Sequence, residues 1–152
     1  MLMGVLPYGE MACPYFFPVD PDPDRSPAAH AMLPLGDAWS GLCHAIPDSP
    51  WQPGADTLYP VCNIGYARRR CPRFPAGDGP DAVRFSISAD EGSSLRLYYV
   101  VERDHLPFAH GALEYTLPQG DFRPSPALDA VTRLARAYVS SYFRRRNEAS
   151  GR

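Results

Sequence analysis

The sequence predicts an α+β fold: a small three-stranded antiparallel sheet covered by a C-terminal amphipathic helix, with a Pro-rich irregular N-terminal half organised around a four-Cys metal centre. Three observations predict it. Apolar and polar residues alternate over stretches between Val83 and Leu117, the period of half-buried strands. From Leu128 to Phe143 apolar residues recur at spacings of three and four, the period of a helix face. Eleven of the 18 prolines fall between Pro7 and Pro60, and all four cysteines between Cys13 and Cys71. Prolines at that density oppose regular structure in the first third of the chain.

Each element follows in order. Asp37 is placed to cap a short helix running to Ala45 and stopped before Pro47. Pro60, a residue type suited to a first helical turn, opens a second short helix with Cys62 in its first turn. Val83, Phe85 and Ile87 form the first strand, and Asp90-Glu91-Gly92-Ser93 the turn after it. Leu95, Leu97, Tyr99 and Val101 form the second strand. Asp104 to His110 read as a loop, and Leu113, Tyr115 and Leu117 as the third strand. A sheet with one apolar face needs cover. The C-terminal helix supplies it, with Ser125 as N-cap and Pro126 as first helical residue. Its apolar stripe comprises Leu128, Val131, Leu134, Ala135, Tyr138, Val139, Tyr142 and Phe143. Arg133, Arg136 and Arg144 fall off the stripe, and Arg144 to Arg146 close the helix where positive charge suits the dipole.

With 152 residues the chain is long enough for one domain, spanning 11–147. Its cysteine-bearing part is 11–80 and its sheet-plus-helix part 81–147. Residues 1–10 read as a disordered extension or an upstream mis-start, and 148–152 as a disordered tail. No stretch approaches the ~20 apolar residues that span a bilayer, and the N-terminus lacks the basic region of a signal peptide. The expected location is therefore the cytoplasm, with no membrane partner. Thiols stay reduced there, which favours metal binding over disulfides.

The four cysteines are spaced Cys-x29-Cys-x18-Cys-x8-Cys. Four thiols match the ligand count of one [4Fe–4S] cluster or one Zn²⁺ ion. Zinc ribbons and fingers use close Cys-x2-4-Cys knuckles, and none occurs here. Iron–sulfur clusters accept dispersed ligands and thiolate-only shells. The dipeptides Cys13-Pro14 and Cys71-Pro72 resemble those that end cluster-binding runs in bacterial ferredoxins, although the tightly spaced run itself is absent. The expected metal ligands are Cys13, Cys43, Cys62 and Cys71, and the expected cofactor a [4Fe–4S] cluster, with Zn²⁺ as the alternative. One geometric condition follows. A straight helix from Cys62 to Cys71 separates their Cα atoms by roughly 13 Å and turns their side chains apart. The helix must therefore end before Cys71, with Arg68 to Arg70 in a reversing turn.

Charge is unevenly placed. The net charge is −2, and every basic residue is arginine. Residues 1–60 carry seven acids and one arginine, whereas 61–80 carry four arginines and Asp78. Arg68, Arg69, Arg70 and Arg73 bracket Cys71 and are expected to balance an anionic centre or contact a partner. A protein partner is favoured. Nucleic acid, which Tyr66 and Phe74 offer surfaces to stack on, is the less favoured one on a mildly acidic chain.

These readings point to a small iron–sulfur protein serving electron transfer, redox sensing or cluster-based structural support. The alternatives are a zinc-stabilised interaction or nucleic-acid-binding module, and a small enzyme using His105, His110 and a thiol. No catalytic residue is assigned. His44, next to Cys43, is a minor candidate for a mixed zinc shell.

Overall fold

The structure is a computed structural model and describes residues 12–22, 34–46, 48–77, 79–126 and 128–150. Residues 1–11 lie outside the described residues, and so does the extension expected at 1–10.

The described residues are mostly β, with two sheets and one long helix, which corrects the predicted architecture. Strands β1 (Phe16–Asp22) and β2 (Ala38–Cys43) form a two-stranded antiparallel sheet. A single helical turn α1 (Ala55–Thr57) runs into a π-helical turn over Leu58–Cys62. Strands β3 (Ala82–Asp90), β4 (Ser94–Arg103), β5 (Leu106–Thr116) and β6 (Asp121–Arg123) make a four-stranded antiparallel meander. Helix α2 (Asp129–Ser150) follows.

The N-terminal half is not wholly irregular: it holds the β1–β2 sheet, and the helix expected from Asp37 to Ala45 is strand β2. Prolines are accommodated in β1 because, among the described residues, it has a partner on one side only. Pro18 and Pro21 pair with Gly41 and Trp39 in that edge strand, where a missing N–H costs little. Gly41 has no free choice of side chain: a Cβ there would stand 2.0 Å from the Phe17 carbonyl oxygen. Asp37 caps nothing. It is fully buried and pairs with Arg144 and Arg145 of α2. The expectation of a half organised around a metal centre is corrected too. Among the described residues, no group of three or more His, Cys, Asp or Glu side chains is arranged to hold a metal ion. Sheet pairing and apolar packing organise this half instead.

The larger sheet gains a strand over the prediction because β6 is only three residues long and has no readable period. The loop expected at Asp104 to His110 is mostly strand. Arg103 pairs with Leu106 across a two-residue turn, with φ of 55° at Asp104 and 64° at His105, the signature of a type I′ hairpin. Leu117 lies past the end of β5 and is exposed. The first two strands and their turn fall where the alternation places them, with Phe85 opposite Tyr99.

One core joins both halves. Val131, Leu134, Ala135 and Val139 are buried as the stripe requires, with Val83, Leu95, Leu97, Val101 and Leu113 of the sheet in the same cluster. Phe16, Trp39, Leu58, Val61 and Cys62 belong to that cluster as well. The buried face of α2 is wider than the predicted stripe: Ala137 and Ser141 are also inside, and Trp39 Nε1 donates to Ser141 Oγ at 3.2 Å. The helix therefore packs on the N-terminal half as well as on the sheet. Among the described residues, no helix is long and apolar enough to cross a membrane.

Candidate metal centre

Four separate segments bring the cysteines to one place. Cys13 follows Ala12, whose N–H and carbonyl both pair with Val83 of β3, at 2.7 and 2.9 Å. The Cys13 N–H then donates to the Cys62 carbonyl at 3.1 Å, so the first and third cysteines are joined through the main chain. Behind Cys13, a turn returns the Phe16 N–H to the Cys13 carbonyl. Arg133 of α2 holds that turn, donating to the carbonyls of Pro14 (2.7 Å) and Phe16 (3.3 Å) while lying 3.6 Å from the Phe17 ring centroid. Arg133, although off the apolar stripe, is thus an anchor. Burial lowers the pKa of its guanidinium below the ordinary arginine value.

Cys43 ends β2 on the same strand face as Trp39, two pairs of residues apart. Its main chain pairs in both directions with Trp51, at 2.7 and 3.0 Å. Its sulfur accepts the Ala45 N–H at 3.4 Å. Cys62 closes the π-helical turn, whose i→i+5 bond runs from the Asn63 N–H to the Leu58 carbonyl. Such turns widen a helix by one residue and recur at functional sites.

The reversal required between Cys62 and Cys71 is present. Gly65 has φ of 89° and Tyr66 φ of 56°, and Arg68 to Arg70 form a turn closed by Arg70 and Cys71 N–H bonds to the Ala67 carbonyl. A side chain at position 65 would also press on Ala82 Cβ at 3.0 Å and on the Ala12 main chain at 3.2 Å, so glycine is needed twice over.

The result is one small pocket lined by Cys13, Cys43, Cys62 and Cys71, which as they stand are not arranged to hold a metal ion. The other lining residues are apolar or aromatic, among them Phe16, Trp51, Val61, Ala67 and Phe74. All four are free thiols; three are buried and Cys71 is half-buried. The gap between the side chains is about 10 Å³, close to the space of one water. Burial pushes the Cys13 thiol well above its ordinary pKa, and Cys62, Cys43 and Cys71 add to the rise against a backbone hydrogen bond from Tyr15. Burial likewise pushes Cys62 up to about 12, with Cys43 and Cys71 contributing. Both are therefore neutral thiols at pH 7, and binding a metal must displace their protons.

The arginines around Cys71 have divided roles that the sequence did not show. Arg68 turns inward: Nε meets Asp81 Oδ1 at 2.8 Å, Nη1 donates to the Gly77 carbonyl, and the group lies over Phe74. Arg70 donates to the Pro60 carbonyl at 2.9 Å, two residues before Cys62. Arg73 donates to the Ser49 carbonyl at 2.9 Å and stacks on Trp51, the main-chain partner of Cys43. Arg70 and Arg73 thus tie the Cys71 loop to the segments carrying two other cysteines. Arg69 is exposed and makes no side-chain bond among the described residues.

The remaining candidates stand apart from the cavity. His44 stacks on Phe17 at 3.6 Å. His105 stacks on Tyr66 at 4.1 Å, and its N–H donates to the Tyr66 hydroxyl, which itself donates to Glu102 Oε1. His110 Nδ1 bonds the Tyr98 hydroxyl at 2.6 Å. None of the three histidines lines the cysteine cavity. Tyr66 and Phe74, the proposed stacking surfaces, are engaged inside the molecule, Phe74 edge-on against Tyr15. No family model, curated protein or solved structure matches this chain, so the cavity and its surroundings carry the functional argument.

Proposed function

We propose that the chain holds one [4Fe–4S] cluster on Cys13, Cys43, Cys62 and Cys71 and serves as a one-electron carrier in the cytoplasm. The observation that carries this reading is the convergence of four thiols, from four segments, on one cavity with an otherwise apolar lining. Cysteines used only as small hydrophobes need not all line one pocket. The donor chemistry fits: an all-thiol set without a close knuckle suits iron–sulfur better than zinc. The Ala45 N–H on the Cys43 sulfur is a bond of the kind that tunes cluster potential. The cavity at about 10 Å³ is too small for a cluster as the side chains stand, so loading requires the thiols to swing outward and a loop to yield. The Cys71 loop is suited to that movement, being held to its neighbours by arginine side chains and not by strand pairing. A cluster supplies one-electron chemistry. Four protein ligands leave no open iron, which favours electron transfer over substrate chemistry. The four free thiols suit a reducing compartment.

Anaerobic purification followed by iron, sulfide and zinc analysis and visible absorption tests the reading. Iron and acid-labile sulfide in equal amounts, with a broad absorption near the visible blue, is the expected result. A colourless protein with stoichiometric zinc, or one free of metal after reconstitution, overturns it.

A further inference from the structure

We infer that the groove between the Pro14–Phe17 segment and the first turns of α2 binds a free α-amino acid with an apolar side chain. It is a second pocket, sharing only Tyr15 with the cysteine pocket, and the inference does not rest on the cluster reading.

The groove has a volume of about 420 Å³, inside the range of roughly 300–1,000 Å³ that holds small molecules. Most of its lining is apolar: Val83, Val101 and Leu128 contribute aliphatic surface, and Tyr15 and Phe17 aromatic surface. His44 lies flat on the Phe17 ring. Arg133 and Asp129 supply the two formal charges. These two stand four residues apart on α2, which makes them neighbours on the helix surface, and such a pair ordinarily closes on itself. Here it does not. Arg133 Nε and Nη2 donate to the carbonyls of Phe16 and Pro14, and its plane lies on Phe17, so the guanidinium is held away from its helical partner. No carboxylate forms an ion pair with Arg133 among the described residues. Arginine has more donors than these two bonds use, and Nη1 has no partner among the described residues. Asp129 is exposed, and its carboxylate is likewise without a partner among them.

Two open charges of opposite sign select the ligand. A lone carboxylate on Arg133 meets the repulsion of Asp129 one turn away, and a lone amine on Asp129 meets that of Arg133. A group carrying carboxylate and ammonium on one carbon is neutral overall and pairs with both. An α-amino acid is such a group, and its side chain then lies along the apolar lining. The aromatic surface of Tyr15 and Phe17 suits a ring. Arg133 is half-buried, where a charge interaction is screened less than in open water.

Isothermal titration of the full chain with L-phenylalanine, 3-phenylpropionate and 2-phenylethylamine tests this, since the three carry one ring with both charges or either alone. L-phenylalanine is expected to give saturable heat. Each single-charge analogue is expected to bind at least about fivefold more weakly, the upper range for one exposed ion pair. Asp129→Asn, which breaks no internal bond, should weaken L-phenylalanine by about fivefold and leave 3-phenylpropionate no weaker. Arg133→Gln should abolish binding of both. Because that change also loosens the Pro14–Phe16 turn, Ala130→Phe serves as a second variant: it narrows the groove, leaves both Arg133 bonds in place, and should abolish the heat. Circular dichroism matching the wild type qualifies each variant. Equal affinity for L-phenylalanine and 3-phenylpropionate, or indifference to Asp129→Asn, overturns the amino-acid class. Saturable heat that survives Ala130→Phe, or no heat from any of the three at millimolar concentration, overturns the site.

Discussion

Asn63 pairs with Trp39 as a strand residue would. Its Oδ1 accepts the Trp39 N–H at 2.9 Å and its Nδ2 donates to the Trp39 carbonyl at 3.0 Å. The same Nδ2 also donates to the Leu58 carbonyl at 2.9 Å. A side-chain amide thus completes a ladder rung on the open edge of β2 and locks the π-helical turn to it. Cys62 precedes Asn63, and Cys43 lies on the face of β2 that Trp39 occupies, so this one residue sets the spacing of two of the four thiols.

Asn63→Ala is therefore expected to be among the most damaging single changes away from the cysteines. Asn63 is buried, and its loss strands the N–H and carbonyl of Trp39, each at about 1–3 kcal/mol. Urea denaturation should show a loss of at least about 2 kcal/mol, and iron content after reconstitution should fall with it. Asn63→Asp keeps the acceptor and loses the two donated bonds, so it should fall between wild type and alanine only if its charge is relieved. A change under 0.5 kcal/mol would show that the turn is held by packing alone.

The sheet and helix make a separate demand. Leu134 has no exposed surface, whereas Arg136 reaches out to the Gly120 carbonyl at the surface. Leu134→Ala should cost about 2–5 kcal/mol. Arg136→Ala should cost no more than about 1 kcal/mol, the net worth of one exposed hydrogen bond. Equal costs in thermal denaturation would place the helix in the wrong rotation.

How much of this was legible depends on the range of the interactions. Strands β3 and β4 and helix α2 could be read because their partners need only a face, and a face leaves a period in the sequence. Strand β2 could not. Its glycine exists to meet the Phe17 carbonyl, and Asp37, which looks like a helix cap, is held by Arg144 across 107 residues. Long-range ion pairs leave no local pattern. The type I′ turn was missed because Asp104-His105 lacks the glycine that marks such turns. For the site, the number of thiols and the break between Cys62 and Cys71 were legible from chain geometry. That Arg70 and Arg73 bind carbonyls beside the other cysteine segments was not, because a carbonyl acceptor has no residue identity.

Arg133 gives a test of the anchoring of Cys13. Its guanidinium reaches two carbonyls of the Pro14–Phe16 turn in a partly buried setting, and bonds to a charged donor contribute about 1.5–3 kcal/mol. Arg133→Ala should destabilise the chain by about that amount and loosen Cys13, seen as faster alkylation of its thiol. Arg133→Lys should recover little, since one ammonium cannot reproduce two bonds from a planar group lying on Phe17. Full rescue by lysine would reduce Arg133 to a charge.

The cysteines themselves separate ligand from packing residue. As packing residues, they predict a graded series: Cys13, Cys43 and Cys62, each about 6% exposed, should suffer more from serine than half-buried Cys71 does. Serine puts an unpaired hydroxyl into an apolar cavity, and alanine leaves only a small gap, so alanine should be the milder change at each position. As cluster ligands they predict something else. Loss of any one leaves an iron without its thiolate, so all four should lose cluster to a similar degree, with Cys71 no exception and alanine no better than serine. The decisive measurement is iron and sulfide content across eight variants beside their metal-free stability. Stability graded by burial together with cluster loss independent of burial is the expected pair of outcomes. Cluster content that survives Cys71→Ala while failing at the other three would leave Cys71 outside the ligand set and give the centre an open iron.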